Sequence, residues 1–311
     1  MPELPEVETI RRGLKEFILE KKITKIEVFC DKSFHGQPKL AENQTIKSIR
    51  RFGKALVLDL DNNHSLMIHL RMTGQLIYDG DRLVSSAGPT PKRYAAGHPS
   101  ENFLAELPNK QTRVVLKFSN GTLYFNDQRK FGFIKVLPTT EVEKDSFIQK
   151  LAKEPWAMTS DELYDKLQRH KNSLIKATIL DQSIICGLGN IYADESLFAA
   201  KIHPKRRSGT ITREETEKLL QAAREVMTKS IESGGSTMAT YVKADGTKGD
   251  YLEKFAQVFH KEGQPCPRCN TEIIKIRVAG RGTHLCPHCQ TAPANTVTST
   301  PRNSDKKAKN D

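Results

Sequence analysis

Four cysteines fall within 24 residues near one end of the chain: CPRC at 266–269, sixteen intervening residues, then CPHC at 286–289. No other feature restricts the fold so tightly. Each CxxC makes a tight knuckle presenting two thiolates. Two knuckles at this spacing close a tetrahedral site for one structural zinc ion on Cys266, Cys269, Cys286 and Cys289. Four thiolates leave no open coordination position, so the metal is not expected to be catalytic. His284 and His288 are competing ligand types and are set aside. The intervening NTEIIKIRVAGRGTHL reads as a β-hairpin turning at AGRG, which raises Arg281 between two glycines. The other two cysteines, Cys30 and Cys186, have apolar or glycine-rich neighbours and read as small buried residues.

Upstream, the hydrophobic pattern changes period near residue 140. ITKIEVF (23–29), TIKSIRRF (45–52), KALVLDL (54–60), HSLMIHL (64–70), RVVLKF (113–118), TLYFN (122–126) and FIKVL (133–137) are β-branched and partly alternating. Turn signals separate them, which predicts a sandwich or flattened barrel. The stretch 84–102, with three prolines, two glycines and no period, reads as a long loop or insertion. Beyond 140, DELYDKLQRH, NSLIKATILDQ, NIYADESLFAAKI and REETEKLLQAAREVMTKSIE carry helical spacing, broken by GLGN (187–190) and HP (203–204). The expected units are 1–138, strand-rich; 139–260, helical; 261–290, the cysteine module; and 291–311, a disordered tail.

The 311 residues include 49 Lys plus Arg against 37 Asp plus Glu, a net charge of +12. The excess comes in clusters at Arg11-Arg12, Arg50-Arg51, Arg129-Lys130 and Lys205-Arg206-Arg207. Dispersed basic pairs suit a polyanion groove. Mean hydropathy is −0.54, and no apolar run approaches the roughly 18 residues of a membrane span. No secretory signal is visible. The expectation is a bacterial cytoplasmic protein.

The first residues, MPELPEVETIRRGL, combine two prolines and three glutamates ahead of an amphipathic run. Removal of Met1 would expose Pro2 as a secondary amine. An α-amino group has a pKa of about 7.7–8.0, so it is partly neutral and nucleophilic near pH 7. Its attack on a sugar C1′ gives an iminium, an electron sink that permits elimination of phosphate. Glu3 is a neighbouring acid for a departing base or ring oxygen. Glu6, after Pro5 in the first turn, complements the helix dipole and can hold the N-terminus. Val7, Ile10, Leu14, Phe17 and Ile18 form the apolar stripe that anchors the helix. GLGN at a helix N-terminus is a candidate phosphate site, with the Asn190 side chain as a further donor.

MPELPEVETIRRGL, RRFGK (50–54), HLRMTG (69–74), DQRKFG (127–132), GLGNIYADESLFAAKIHP (187–204), SGGSTM (233–238) and the cysteine module occur in this order. Together they resemble bacterial formamidopyrimidine-DNA glycosylase, in the superfamily that includes endonuclease VIII. The resemblance spans nearly the whole chain apart from 84–102 and the tail. It implies an α+β fold: an N-terminal β-sandwich with a leading α-helix, a helical domain with a helix–two-turn–helix, and a four-cysteine β-hairpin zinc finger. It implies a bifunctional glycosylase/AP lyase of base excision repair, acting on oxidised purines in damaged double-stranded DNA and cutting by β,δ-elimination. A monomer associated with the nucleoid is expected.

On the same resemblance, Pro2 is the Schiff-base nucleophile, Glu3 the acid and Lys54 the proton donor in β-elimination. Arg281 grips phosphates for δ-elimination. Met72, Arg129 and Phe131 match the wedge that fills the void left by an everted base. Glu6, Gln111, Lys171, Lys176, Asn190 and Tyr251 complete the DNA-facing set, and 233–251 matches the loop over the everted base. Arg71, Gln111, Lys130 and Ala55 depart from the usual glycine, histidine, arginine and tyrosine. The alternatives are an endonuclease VIII-like enzyme for oxidised pyrimidines and a non-catalytic zinc-ribbon DNA-binding protein.

Overall fold

The computed structural model describes residues 2–80, 84–85, 88–89, 93–98, 105–235 and 251–292. Helix α1 (Leu4–Ile18) opens the chain. Its entry is fixed by the Glu3 backbone N–H, which donates to Glu6 Oε2 at 2.8 Å, with Pro5 in the first turn, where no intrahelical donor is needed. Val7, Ile10, Leu14, Phe17 and Ile18 are all buried, as their spacing predicts.

Two five-stranded sheets follow. One has the order β1 (Ile23–Val28), β10 (Thr112–Phe118), β11 (Gly121–Asp127), β6 (Gly74–Gly80), β9 (Arg93–Gly97). The other has β2 (Phe34–His35), β12 (Phe133–Pro138), β5 (His64–His69), β4 (Ala55–Leu60), β3 (Ile46–Phe52). Neighbours are antiparallel except β2 on β12. Leu56, Leu58, Leu66 and Ile68 of one sheet meet Leu76, Val114, Leu116 and Phe125 of the other in one core, which α1 closes. The architecture is a sandwich with a leading helix. The short strands β7 (Val84–Ser85) and β8 (Gly88–Pro89) pair with each other outside it.

Besides the two-residue strands, β6 and β9 escape the sequence pattern. GQLIYDG is the full-length β6, paired along its whole length with β11. Part of 84–102, read above as a loop, is β9, paired with β6 from Gln75–Gly97 to Asp79–Arg93. Tyr94 stacks on Phe17 with ring centroids 5.2 Å apart, while Ala95 packs with Ile77 on the other side. A strand covered on both faces shows no alternation, which is why RYAAG gave no signal. Cys186 is buried as expected, but Cys30 is only half-buried, since it lies just beyond edge strand β1, next to the exposed Phe29.

The helical part contains α2 (Ser146–Gln149), α3 (Ser160–Arg169), α4 (Ile175–Leu180), α5 (Asn190–Ala199), α6 (Arg213–Glu232) and α7 (Tyr251–Lys254). Thr159 with Glu162 and Thr212 with Glu215 form capping boxes that start α3 and α6. Helix α6 occupies the same twenty residues as its sequence period. Strands β13 (Ile274–Val278) and β14 (Arg281–Leu285) make the hairpin between the cysteine knuckles.

Two adjacent carboxylates on α5 fasten that hairpin and the segment leading toward it. Glu195 accepts the backbone N–H groups of Gln257, Val258 and Phe259 at 2.9, 3.0 and 2.8 Å. Asp194 binds Lys176 Nζ at 2.6 Å and the His284 backbone N–H at 2.9 Å. Among the described residues, no helix is long and apolar enough to cross a membrane.

Candidate active site between the sandwich and the helices

A cleft of about 820 Å³ lies where α1, the β3–β4 turn, α5 and the hairpin tip meet. Pro2, Glu3, Lys54, Met72, Asn190 and Arg281 are among its lining residues. Residues more than 270 positions apart in sequence thus face one space.

The turn before α5 accounts for much of this convergence. Leu4 N–H donates to Gly187 O at 3.2 Å. Gly187 has φ +99, and a Cβ there would overlap the Leu4 side chain. A Cβ on Gly189 would overlap the Glu3 carboxyl group. These glycines let the chain's first residues lie directly on the turn. The N-terminus of α5 does hold an anion, but it is the Glu3 carboxylate: Oε1 accepts Ile191 N–H at 3.0 Å and Oε2 accepts Tyr192 N–H at 3.4 Å. Two N–H groups at the helix N-terminus that GLGN opens are therefore taken by a carboxylate of the same chain.

Burial pushes the Glu3 carboxyl up to about 7; Lys54 and the Ile191 N–H pull it down, and Glu6 pushes it further up. A carboxyl in that range is part acid at neutral pH, as a proton donor requires. Lys54 Nζ donates to Leu188 O at 2.6 Å. Burial lowers its pKa from the ordinary lysine value, against the attraction of Glu3. Glu6 takes the Tyr192 hydroxyl at 2.5 Å on Oε1 and the Glu3 N–H on Oε2. Tyr192, which sequence reasoning missed, also lies 2.5 Å from Ser230 Oγ. A single tyrosine on a buried helix reads as core; only the contact across 186 residues reveals its second role.

His69 lines the cleft together with Met72. Burial, with Arg71 and Lys54 adding to it, pushes its pKa down to about 3, so it is neutral. Arg71 adopts φ +51, which explains why glycine is usual there. Its guanidinium lies over Phe133 and Phe147, at 5.8 and 5.6 Å from their centroids. At the rim, Arg129 covers the Phe131 ring at 4.8 Å, and its N–H donates to Thr73 Oγ1 at 3.0 Å. Phe131 is 55% exposed.

Other expected residues fall elsewhere. Lys176 is fully enclosed, its ammonium held by Asp194, Thr283 Oγ1 at 2.8 Å and Gly282 O at 3.2 Å. It has no surface for a phosphate and instead holds the hairpin. Tyr251 is buried against Tyr192 and Phe255 in the helical core. Asn190 Nδ2 donates to Gly282 O at 3.0 Å, beside Arg281. Gln111 is half-buried in the turn before β10, with its carbonyl on Asp127 N–H, and Lys171 is exposed after α3. Of the loop 233–251, residues 236–250 lie outside the described residues, as do 293–311 of the tail.

Several basic pairs are also spent internally. Arg11, Arg12 and Arg51 surround Glu8, Arg51 also binds Glu154, and Arg50 binds Asp59. The Arg51–Glu8 pair braces β3 against α1, whereas Arg129 and Lys130 are both exposed.

The four cysteine sulfurs cluster with separations of 3.9, 3.4 and 3.5 Å for Cys266–Cys289, Cys269–Cys286 and Cys269–Cys289. Tetrahedral zinc with bonds of about 2.3 Å sets its sulfurs about 3.8 Å apart, so the donor set fits one zinc ion.

Three family models match the chain in order. They are the formamidopyrimidine-DNA glycosylase N-terminal domain over residues 1–134, the H2TH domain of the same enzymes over 151–242, and a zinc finger found in FPG and IleRS over 263–292. Together they describe a DNA glycosylase of the H2TH, zinc-finger class. The formamidopyrimidine-DNA glycosylase of Pelotomaculum thermopropionicum is 38% identical over 298 residues, covering 93% of this chain and 99% of that protein. A Lactococcus lactis FPG mutant in complex with a Fapy-dG containing DNA superposes with a TM-score of 0.80 at 34% identity, over 94% of this chain and all of that one. The wild-type Lactococcus lactis protein with an oxidized pyrimidine containing DNA gives 0.79 at 33%, with the same coverage. The chain belongs to the formamidopyrimidine-DNA glycosylase family.

Proposed function

We propose that this protein is a bifunctional DNA glycosylase and AP lyase of base excision repair, acting as a monomer on oxidised purines in duplex DNA. The observation that carries the reading is the meeting of Pro2, Glu3 and Lys54 in one cleft, with burial raising the Glu3 carboxyl to about 7.

Once Met1 is removed, the Pro2 nitrogen attacks C1′ of an everted nucleotide. The C1′–base bond breaks, and its electron pair leaves with the base, which takes a proton from Glu3 directly or through the ring oxygen. The proline nitrogen loses its proton, and the sugar ring then opens: the C1′–O4′ bond breaks, its electron pair goes to O4′, which takes a proton, and the nitrogen lone pair forms the C1′=N⁺ iminium that acidifies C2′. Loss of a C2′ proton expels the 3′ phosphate, with Lys54 as proton donor, and a second elimination expels the 5′ phosphate, which Arg281 holds. Met72, Arg129 and Phe131 fill the gap in the stack, repaying part of the few kcal/mol that eversion costs. Gln111, Lys171 and Asn190 contact the backbone. One zinc ion on Cys266, Cys269, Cys286 and Cys289 fixes the hairpin that carries Arg281.

A second reading, activity on oxidised pyrimidines, is favoured by the Lactococcus lactis relative bound to such a lesion. Single-turnover release from duplexes carrying 8-oxoguanine, formamidopyrimidine or thymine glycol separates the two. Faster release of the purine lesions is expected. Preference for thymine glycol would support the second reading, and no release from any lesion would remove both.

A further inference from the structure

Three donor atoms converge at the base of the hairpin, away from the reacting end of the cleft. His260, Glu262 and His284 each bring a ligand atom within 4.8 Å of the others. His284 Nε2 lies 3.1 Å from Glu262 Oε2, and this buried nitrogen makes no hydrogen bond. The other ring nitrogen, Nδ1, is 3.4 Å from Asp194 Oδ2. With Nδ1 turned toward Asp194, Nε2 is the ring nitrogen that faces Glu262, and the tautomer with its hydrogen on Nδ1 offers Nε2 as a ligand atom. Lys275 does not sit between them, because its ammonium binds the other oxygen, Glu262 Oε1, at 3.0 Å.

We propose that His260, Glu262 and His284 form a second divalent-cation site, of the zinc and cobalt class, distinct from the four-cysteine site. Two imidazoles and one carboxylate suit such ions, whereas calcium and magnesium want more oxygens. Bonds of about 2.0–2.2 Å place tetrahedral ligand atoms about 3.3 Å apart, and the His284–Glu262 pair already stands at 3.1 Å. His260 is exposed and can rotate in to complete the set. Its backbone follows the 257–259 segment that Glu195 clamps, and the Phe259 ring packs edge-on against His284 at 4.9 Å. Asp194 behind His284 is the outer carboxylate that orients ligand histidines. Three protein ligands leave a position for water or a phosphate oxygen, and His260 lines the cleft.

The test is a metal titration of the full chain. Co²⁺ is followed by absorbance and Zn²⁺ by elemental analysis after gel filtration. Wild type is expected to take two equivalents, one with thiolate charge-transfer bands and one without. His260→Gly is a mild variant, since residue 260 has φ +57, which glycine adopts freely. Outer-shell partners alone are worth roughly 10–100-fold in metal affinity, so His260→Gly and Glu262→Gln should weaken the second equivalent at least tenfold and keep the thiolate bands. A wild-type chain that stops at the thiolate equivalent overturns the proposal. So does a second equivalent that His260→Gly binds as tightly as wild type.

Discussion

Gly189 lies directly beneath the Glu3 carboxyl, with no room for a side-chain carbon between them. Its backbone, at φ −127 and ψ −156, is one that any residue can adopt, so the requirement for glycine comes from Glu3 alone. Gly189→Ala should displace the carboxyl and lower single-turnover base release by about 100-fold, the usual cost of an ångström-scale misplacement. The circular dichroism spectrum should not change. Full activity in this variant would show that Glu3 does not act from its observed position.

The pH profile follows from the same residue. The acid form of Glu3 is lost as pH rises through about 7, so base release should decline above neutrality and Glu3→Gln should abolish that limb. Linkage gives a second signature. The folded-state value is above the ordinary one, so the stability contributed is fully present below about 4.5 and is lost as pH rises through about 7. The Gln variant should therefore gain on wild type in melting temperature between pH 4.5 and 8. A constant difference would contradict the raised value.

Tyr192 tests the support behind the acid. Tyr192→Phe removes the hydroxyl from buried Glu6 Oε1, whose partner oxygen caps the Glu3 N–H. Leaving a buried carboxylate short of a donor costs about 1–3 kcal/mol. Melting temperature should fall, and base release should fall further than lesion binding. A variant with wild-type stability and rate would reduce Tyr192 to packing.

These sites were unevenly legible in the sequence. The cysteine hairpin, the stripe on α1 and the bounds of α6 followed from local spacing. Strand β9 did not, because Tyr94 and Ala95 are covered on opposite faces. The glycines of GLGN were visible, but their reason was not: it is Glu3 and Leu4, contributed from the other end of the chain. The enclosure of Lys176 and Tyr251 was hidden for a related cause. A lysine in a basic chain reads as a phosphate ligand until Asp194 is found 2.6 Å away, and burial of Tyr251 depends on Tyr192 of α5 as well as on nearby Phe255.

Phe131 offers a clean separation of function from folding. Its exposure means Phe131→Ala should change stability by no more than about 0.5 kcal/mol. Affinity for a lesion duplex should fall about tenfold or more, because the unstacked step loses its filler. Fluorescence anisotropy with lesion and undamaged duplexes measures this; equal loss on both would argue against a wedge.

Metal removal should act locally. Cys266 and Cys286 are completely buried beside Val258 and Ile273, so Cys266→Ser should lose the thiolate-bound ion, loosen the hairpin that carries Arg281 and abolish DNA binding. The sandwich has its own core and should still melt cooperatively. Retained metal and affinity would contradict the assignment.

The central claim is a covalent bond between the Pro2 nitrogen and deoxyribose. Borohydride reduction during reaction with an abasic duplex, followed by mass spectrometric mapping of the trapped peptide, tests it directly. The account predicts a chain lacking Met1, with the adduct on Pro2 and little trapping by Pro2→Gly. An adduct on Lys54, or undiminished strand cleavage by a chain that retains Met1, would contradict it.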